Sequence, residues 1–291
     1  MGKALEMVDA RPNWPNGIGL LIIHLCALAV FVPVFFSWPA IIAAACVAYA
    51  TGALGITLCY HRTLTHRSVR LVKPVEYATA IMGLLAMQGD PISWVATHRR
   101  HHAHADQNGD PHDVRRGFGW AHIEWIFKPN PDVPRTVPEF QKYCPDLWSD
   151  PFYRALYRLN FPIQLAFGGL LFAIGGWPFV VWAVFGRLVF AYHSTWLVNS
   201  ATHMFGYRTY KTADRSTNSW WVALLSFGEG WHNNHHAFPY SARHGMAWYE
   251  IDMTWWTIRL LWLVRLADRV RVPSQELQRR LRLANRKPHP V

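Results

Sequence analysis

Charged residues are scarce in this chain. Asp, Glu, Lys and Arg make up 16% of its 291 residues, against about 25% in ordinary soluble domains, which argues against an ordinary soluble enzyme. The chain is not a disordered one either, because 51% of its residues are hydrophobic. Its four cysteines form no CxxC pair, so they indicate little beyond small packing residues in a reducing compartment.

Two long stretches contain no charged residue at all, residues 12–61 and 159–186. A membrane-crossing helix needs about 20 mostly apolar residues, and Ser37-Trp38-Pro39 and Gly175-Gly176-Trp177-Pro178 are turn signals. We therefore predict an all-α integral membrane protein with four transmembrane helices in two hairpins. The predicted spans cover about residues 17–36, 41–60, 162–175 and 177–203.

The basic residues orient these hairpins. Of the 29 Lys and Arg residues, 28 lie outside the spans and on one side, and the hairpin tips carry none. By the positive-inside rule, both termini and a cap of residues 61–158 and 204–291 are cytoplasmic, as expected for a multi-pass protein of the bacterial inner membrane. The exception is Arg187, which should snorkel or face protein. Nucleic-acid binding is disfavoured, because no recognition motif accompanies the net charge of +11.

Histidine, in contrast, is plentiful and clustered in HRTLTH at 61–66, HRRHH at 98–102 and HNNHH at 232–236. On a helix, the three histidines of HxxHH share one face about 100° wide, so they can share a metal centre. The spacing in HRTLTH spreads its two rings about 140° apart on an ideal helix, so this pair could serve two ions. A structural zinc site would typically use four ligands, often Cys, and is disfavoured. The clusters predict two metals bound by imidazole.

Asn199 and His203 add a further candidate pair at the end of the fourth predicted span. Residues four apart lie on one helix face, and this end returns to the cytoplasmic side, where the other histidines are. The pair alone is a weak signal, because polar residues also hydrogen-bond between membrane helices.

With NSATH at 199–203 and EGWHNNHH at 229–236, the sequence resembles the membrane fatty acyl desaturases, specifically the stearoyl-CoA desaturase-like (Δ9) branch. The resemblance runs from about residue 49 to residue 252 and favours the bacterial and cyanobacterial type. It implies one domain over residues 1–291, with four transmembrane helices and a cytosolic helical cap that holds a dimetal centre. The implied reaction uses dioxygen and two electrons to remove two hydrogens from an unactivated acyl chain.

The resemblance also implies the cofactors and the ligands. The metals would be two non-haem iron ions, although imidazole sites accept zinc in a purified sample. Electrons would come from a separate protein such as ferredoxin or a cytochrome. One iron would be held by His61, His98, His102 and His235, with Asn199 near it. The other would be held by His66, His101, His203, His232 and His236.

No catalytic residue beyond these ligands is expected, but other residues match positions with a supporting role. Carboxylates that could accept hydrogen bonds from ligand imidazoles are Asp106, Asp110 and Glu229. His104, His112, His122 and His244 fall outside the motifs and are not expected to bind metal. Residues implied to shape the bend of the acyl tunnel are Gln88, Trp94, Thr195 and Trp196. Residues implied at its closed end are Tyr49 and Ala53.

One departure from the family leaves the acyl carrier open. Where the acyl-CoA enzymes have an Arg-Asp pair before the second histidine cluster, this chain has Ala96 and Thr97. The substrate is therefore a fatty acyl chain on either a membrane lipid or CoA. Two alternative functions stay open: a hydroxylase on the same scaffold, and a histidine-rich metal transporter. Transporter sites usually lie near mid-membrane, whereas these clusters lie beyond the ends of the spans, which disfavours the transporter.

Overall fold

The computed structural model describes residues 12–283, so the two termini, with Lys3 and Arg11, lie outside the described residues. Most of this region is helical, as predicted. The α-helices are α1 (Trp14–Ala27), α2 (Trp38–Ala48), α3 (Lys73–Leu84), α4 (Pro91–His104), α5 (Trp125–Phe127), α6 (Val137–Tyr143), α7 (Pro145–Ser149), α8 (Pro151–Phe179), α9 (Arg187–Ser200), α10 (Trp220–Leu225), α11 (His232–Ala237), α12 (Met253–Leu263) and α13 (Gln275–Leu281).

Several of these helices continue into π-helical or 3₁₀ turns. The π-helical segments are Tyr49–Thr65, Trp120–Glu124 and Val180–Gly186. The 3₁₀ turns are Leu28–Phe31, Pro33–Phe35, Val114–Arg116 and Ala201–His203. The fold is not purely helical, because the two-residue strands β1 (Arg70–Leu71) and β2 (Ala267–Asp268) pair in antiparallel register. An ion pair between the side chains of Arg70 and Asp268 reinforces this small sheet.

Three helical stretches are long and apolar enough to cross a membrane: Trp14–Phe31, Trp38–Thr65 and Pro151–His203. The third contains both of the predicted spans 162–175 and 177–203 in one run. Its helical conformation breaks inside that run, at Gly175 and at Gly176, whose φ of +65° lies in the left-handed region that suits glycine. The predicted turn coincides with this break in the helix, and the count of candidate spans is three.

Arg187, the exceptional charge, faces protein. Its side chain is 3% exposed. Its guanidinium donates to the carbonyl of Ala183 at 3.1 Å and to that of Leu85, at the end of α3, at 2.8 Å. These hydrogen bonds satisfy a cation that would be costly in lipid and tie α9 to α3.

The segment Tyr49–Thr65 carries the chain from the second apolar stretch to the first histidine motif. It crosses α3 so closely that a Cβ on Gly55 would lie 2.3 Å from the backbone nitrogen of Gly83. Tyr60, further along the same segment, also packs against α3, and its hydroxyl donates to the carbonyl of Ala80 at 3.2 Å. The position of the first histidine motif thus depends on a glycine-to-glycine contact between two helices.

We predict that Gly55→Ala destabilises the protein by about 1–3 kcal/mol, the usual cost of overpacking. The added methyl group would have to displace backbone atoms of α3. The measurement is the thermal midpoint of the detergent-solubilised full chain. Gly168→Ala is the matched control, because a Cβ at Gly168 meets no atom within 4 Å; equal midpoints for the two variants would contradict the prediction.

Candidate metal centre

The first histidine motif ends a π-helical segment, and this winding changes its geometry. In a π-helix the backbone bond runs between residues five apart, and here the amide of His66 donates to the carbonyl of His61 at 3.1 Å. The two rings lie side by side, with 4.8 Å between their centroids. The separation of about 140° expected for an ideal α-helix therefore does not occur, and both rings face the same group of histidines.

Nine of the histidines form two groups. In each group, the potential ligand atoms lie within 4.8 Å of one another. The first group consists of His61, His66, His98, His102 and His235. The second group consists of His101, His203, His232 and His236. His66 thus lies with the first group, whereas the resemblance implied the second; the other histidines fall as implied.

The two HxxHH motifs interlock to make this division. Helix α4 begins at Pro91, with the Asp90 carboxylate accepting from the amides of Ile92 and Ser93 at 2.9 and 3.1 Å, as expected for an N-cap. Of its three motif histidines, α4 gives two to the first group and one to the second. Helix α11 does the reverse. Each motif therefore contributes to both groups, which holds the two groups side by side.

Ring nitrogens converge within both groups. The Nε2 atom of His235 lies 3.1 Å from that of His61 and 3.0 Å from that of His102. In the second group, Nε2 of His203 lies 2.9 Å from that of His232. Two nitrogens bound to one ion at about 2.1 Å and at right angles lie about 3.0 Å apart, so these spacings fit ligands that share a cation.

Unpartnered nitrogens give a second test of the fit. Buried polar atoms are almost always hydrogen-bonded, yet the Nε2 atoms of His66, His101 and His236 have no hydrogen-bond partner among the described residues. All three belong to the two groups. An imidazole nitrogen that is buried, unpartnered and surrounded by other imidazoles is suited to bind a metal ion.

Carboxylates contact the Nδ1 atoms of several rings, on the side away from the other histidines of the groups. The Nδ1 atom of His203 lies 3.0 Å from Asp106, and that of His101 lies 2.9 Å from Asp110. The Nδ1 atom of His61 lies 2.8 Å from Glu229. Because an ionised carboxylate only accepts hydrogen bonds, Asp106 and Asp110 fix the proton on Nδ1 and leave the Nε2 lone pair for the ion. Glu229 instead makes a charge contact with His61, because its Oε2 atom has no hydrogen-bond partner among the described residues.

Asp214 has the same role for His236, whose Nδ1 donates to it at 2.9 Å. Sequence reasoning missed this residue. Its loop follows the last span, and its Asp-x-Ser turn, in which Ser216 donates to Asp214, is common in loops without any site. Nothing in the sequence alone distinguishes this carboxylate from a solvated one.

Burial keeps several of the ligand rings neutral. Burial lowers the pKa of His98, His102 and His235 well below its usual range, and neighbouring imidazoles lower it further. Burial by itself would raise the pKa of Asp214, but the hydrogen bond and charge of His236 outweigh it and lower that pKa. Neutral rings backed by ionised carboxylates are the protonation state that binds a metal.

Arg62 supports the first group through Glu229. Sequence reasoning did not identify this role either. Its fully buried guanidinium donates to the Asp252 carboxylate at 2.9 and 3.0 Å and to Glu229 at 3.2 and 3.3 Å. It also donates to the carbonyl of Ala242 at 2.7 Å. Asp252 in turn caps α12 by accepting from the amide of Trp255 at 2.9 Å. One cation thus fixes Glu229, the partner of His61, against three chain segments.

Histidines outside the motifs divide into two kinds. His112 and His244 are buried at the edges of the groups, with Nδ1 atoms 3.7 Å from Asp110 and 3.1 Å from Glu229. His122 instead lies away from the groups, with its Nε2 atom 3.0 Å from Nδ1 of His193. His112 and His244 therefore each lie beside a carboxylate that also contacts a ligand ring.

Two cavities meet beside the first group. The inner cavity runs along the segment Tyr49–Thr65, where it is lined by His61, Ile56, Gly52 and Ala48 in order away from the motif. The outer cavity has a volume of about 760 Å³ and leads toward α1 and α8. Both cavities are lined by Gln88, Trp94, His98, Thr195 and Asn199. The amide of Gln88 donates to the Thr195 hydroxyl at 2.9 Å across this junction.

The remaining tunnel candidates are placed differently. Trp196 lines the outer cavity. Tyr49 and Ala53 do not line either of the two cavities; instead, the Tyr49 hydroxyl lies 2.6 Å from the Thr257 hydroxyl, and Ala53 is fully buried in helix packing. Their neighbours Ala48 and Gly52 line the inner cavity, so the face that borders it is offset by one residue from the expected one.

Comparisons with known proteins identify the family of this chain. The sequence profile of the family described as "Fatty acid desaturase" matches residues 36–263. The chain is 53% identical to an sn-1 stearoyl-lipid 9-desaturase of Anabaena variabilis, over 91% of this chain and 96% of that protein. It is 47% identical to an sn-2 palmitoyl-lipid 9-desaturase of Nostoc sp., over 89% of this chain and 90% of that protein. With its two histidine groups beside a two-armed cavity, the chain belongs to the fatty acid desaturase family.

Proposed function

We propose that this protein introduces a double bond at Δ9 of a long saturated acyl chain that is carried by a membrane glycerolipid. The similarity to proteins named stearoyl-lipid and palmitoyl-lipid 9-desaturases supports both the position and the carrier. Relatives at 43–45% identity have names that include CoA substrates and other positions, so the proposal follows the more similar proteins.

The observation that carries the proposal is the junction of the two cavities. A chain lying in both would bend at Gln88, Trp94 and Thr195, with its middle carbons next to His98 of the first group. The inner cavity is lined mostly by apolar atoms, as suits the methyl end of a chain. Oxidation at the middle of a chain, rather than at its end, follows from this arrangement.

We propose two iron ions as the metals. One would be held by the first group, with Asn199 near it, and the other by the second group, which together use His61, His66, His98, His101, His102, Asn199, His203, His232, His235 and His236. When bound, the irons would use dioxygen, two protons and two electrons to remove two hydrogens from adjacent methylenes, giving an alkene and two waters.

The surrounding residues position the chain and exclude water. Trp94 stacks on the ring of His98 with 5.0 Å between centroids and meets that of His61 edge-on at 6.1 Å. It therefore closes the junction between the histidines and the acyl chain. The hydrogen bond from Gln88 to Thr195 fixes the opposite wall. A dry, shaped junction of this kind holds the reacting carbons at one depth.

The membrane arrangement is part of the proposal. The break at Gly175 and Gly176 would let the run Pro151–His203 form two spans, which makes four in all, beneath a cytoplasmic cap in the bacterial inner membrane. A separate protein, such as ferredoxin or a cytochrome, would supply the electrons. A hydroxylase would begin with the same hydrogen removal, but the similar proteins are named as desaturases, so this alternative is not favoured.

The proposed function predicts the lipid profile of a bacterial host. Expression of the full chain in a host that lacks Δ9 desaturation, supplied with a compatible electron donor, should convert saturated chains of membrane lipids into Δ9 alkenes. Mass spectrometry with localisation of the double bond provides the measurement, and His235→Ala is the inactive control. Hydroxylated chains without any alkene would contradict the proposal.

The carboxylate behind His236 predicts a loss of metal. In Asp214→Asn, His236 loses its charged acceptor, and loss of such a partner typically weakens metal affinity 10–100-fold. We expect the iron bound after dialysis to fall from about two ions per chain toward one, measured by plasma mass spectrometry. Asp268→Asn, which breaks an exposed ion pair with Arg70, should keep both ions; equal iron in the two variants would refute this role of Asp214.

The inner cavity predicts the chain-length preference. A Cβ on Gly52 would lie 2.4 Å from the ring of Phe227, and both residues line the cavity. Gly52→Ala should therefore shorten the cavity and shift products toward shorter chains by roughly one or two methylenes, each worth about 0.8 kcal/mol of burial. Gas chromatography of the product chains, with Gly168→Ala as the matched glycine control, makes the measurement. An unchanged distribution would rule out Gly52 as a length determinant.

A further inference from the structure

The outer cavity reaches the protein surface at one side. Several of its lining residues are also exposed and mark the opening, among them Asn16 of α1, Arg135 before α6, and Tyr157 and Phe161 of α8. The side chains of Tyr157 and Phe161 are 41% and 67% exposed. We call these four residues the mouth. Exposed aromatic rings at the edge of a cavity are unusual for an opening into water and suit one that faces lipid.

The walls behind the mouth are two helices that the cavity separates. On α1, the lining residues Asn16, Gly19, Leu20 and Ile23 follow helical spacing and form one stripe about 10 Å long. On α8, Asn160 lies between the two aromatic residues of the mouth on a matching stripe. Helix α1 packs against α5, α9 and the segment Val180–Gly186, and α8 packs against α2, α3, α4 and the same segment. The two walls thus share the segment Val180–Gly186, and the residues that line the cavity lie toward the start of each helix. The opening is thus a lateral gap between membrane helices.

The sequence sets the depth of this gap. The charge-free stretches begin at residues 12 and 159, so Asn16 and Asn160 lie just inside the membrane boundary. Trp14, which lies between the cavity-lining residues Asn13 and Pro15, is 66% exposed, as expected for an interfacial anchor. The polar end of a phospholipid or glycolipid acyl chain, its glycerol ester, lies at this same depth.

The charge of the cavity favours a lipid over CoA. Among the described residues that line it, Arg135 is the only one with a charge of the Asp, Glu, Lys or Arg kind. No carboxylate in the range 12–283 forms an ion pair with its guanidinium, and its side chain is exposed at the mouth. CoA carries several phosphates, which proteins usually bind with several Arg and Lys residues. One cation and the amides of Asn16 and Asn160 match a single ester or headgroup better.

We propose that the acyl chain enters sideways from the bilayer, through the gap between α1 and α8, and that Arg135, Asn16 and Asn160 hold the ester end of a membrane glycerolipid at the mouth. This inference rests on the proposed function and assigns to it an entry route and a carrier-binding site. The chain slides along the stripe of α1 toward Trp196 and the junction, while the headgroup stays at the membrane surface.

Gly19 gives the route a testable feature. A Cβ at Gly19 would meet no atom within 4 Å, although this residue lines the cavity. A larger side chain there would project into the gap without straining the helix. Gly168 on α8 has equally open surroundings but lies outside both cavities. The two glycines form a matched pair, one in the route and the other on the lipid side.

The experiment is photolabelling of the purified full chain in phosphatidylcholine vesicles. The probe is a phosphatidylcholine whose stearoyl chain carries a diazirine next to its ester. Peptide mass spectrometry should locate adducts on residues 16–23 and 157–161. Gly19→Leu should lower their yield roughly tenfold, and Arg135→Ala, at an exposed position that does not threaten folding, should lower it by a smaller factor. Gly168→Leu should leave it unchanged.

Each outcome decides the inference separately from the proposed function. Adducts spread over lipid-facing residues, or an equal yield in Gly19→Leu and Gly168→Leu, would overturn the lateral route even if the wild type makes alkenes. Labelling as expected in a protein that makes no alkene would support the route and contradict the proposed function. The thermal midpoints of the three variants, compared with that of the wild type, identify any loss of folding.

Discussion

Nine imidazole rings are turned toward one another in two groups, and burial keeps several of them neutral, among them His98, His102 and His235. Facing lone pairs repel unless a cation lies between them, so a protein alone has no reason to pack its rings in this way. The carboxylates of Asp106, Asp110 and Asp214 make the packing possible, because each fixes a proton on the far side of a ring, and Glu229 adds a charge contact to His61. Arg62 balances this negative charge and ties three chain segments together.

The spacing of the histidines predicted the part of the site that depends only on regular α-helical structure. HRRHH lies on α4 and HNNHH on α11, so the helical face read from each spacing is the one that the structure uses. The ring separation predicted for HRTLTH was wrong, because its segment is π-helical and this winding brings His66 beside His61. A π-helix depends on tertiary packing, here the contact of Gly55 with Gly83, and spacing alone does not encode it. Asp214 and Arg62 act through long-range contacts, which one sequence does not reveal.

The scarcity of charge has its explanation in the same arrangement. Apolar stretches carry the helices that surround the cavities, and the long run Pro151–His203 ends directly at a histidine of the second group. Within the described part of the cavity wall, a single arginine stands at the mouth, at the depth where the charge-free stretches begin. In the proposed arrangement, the depth of the mouth in the membrane fixes how far the polar end of a bound substrate lies from the histidines.

We propose that the two histidine groups hold two iron ions bound by imidazole. The decisive measurement is X-ray absorption at the iron K edge on the purified full chain loaded with iron, combined with an iron count. We expect about two irons per chain, nitrogen or oxygen neighbours at about 2.1 Å, and the outer-shell scattering of several imidazole rings. A sulfur neighbour, one iron per chain, or a spectrum without imidazole scattering would contradict the proposal.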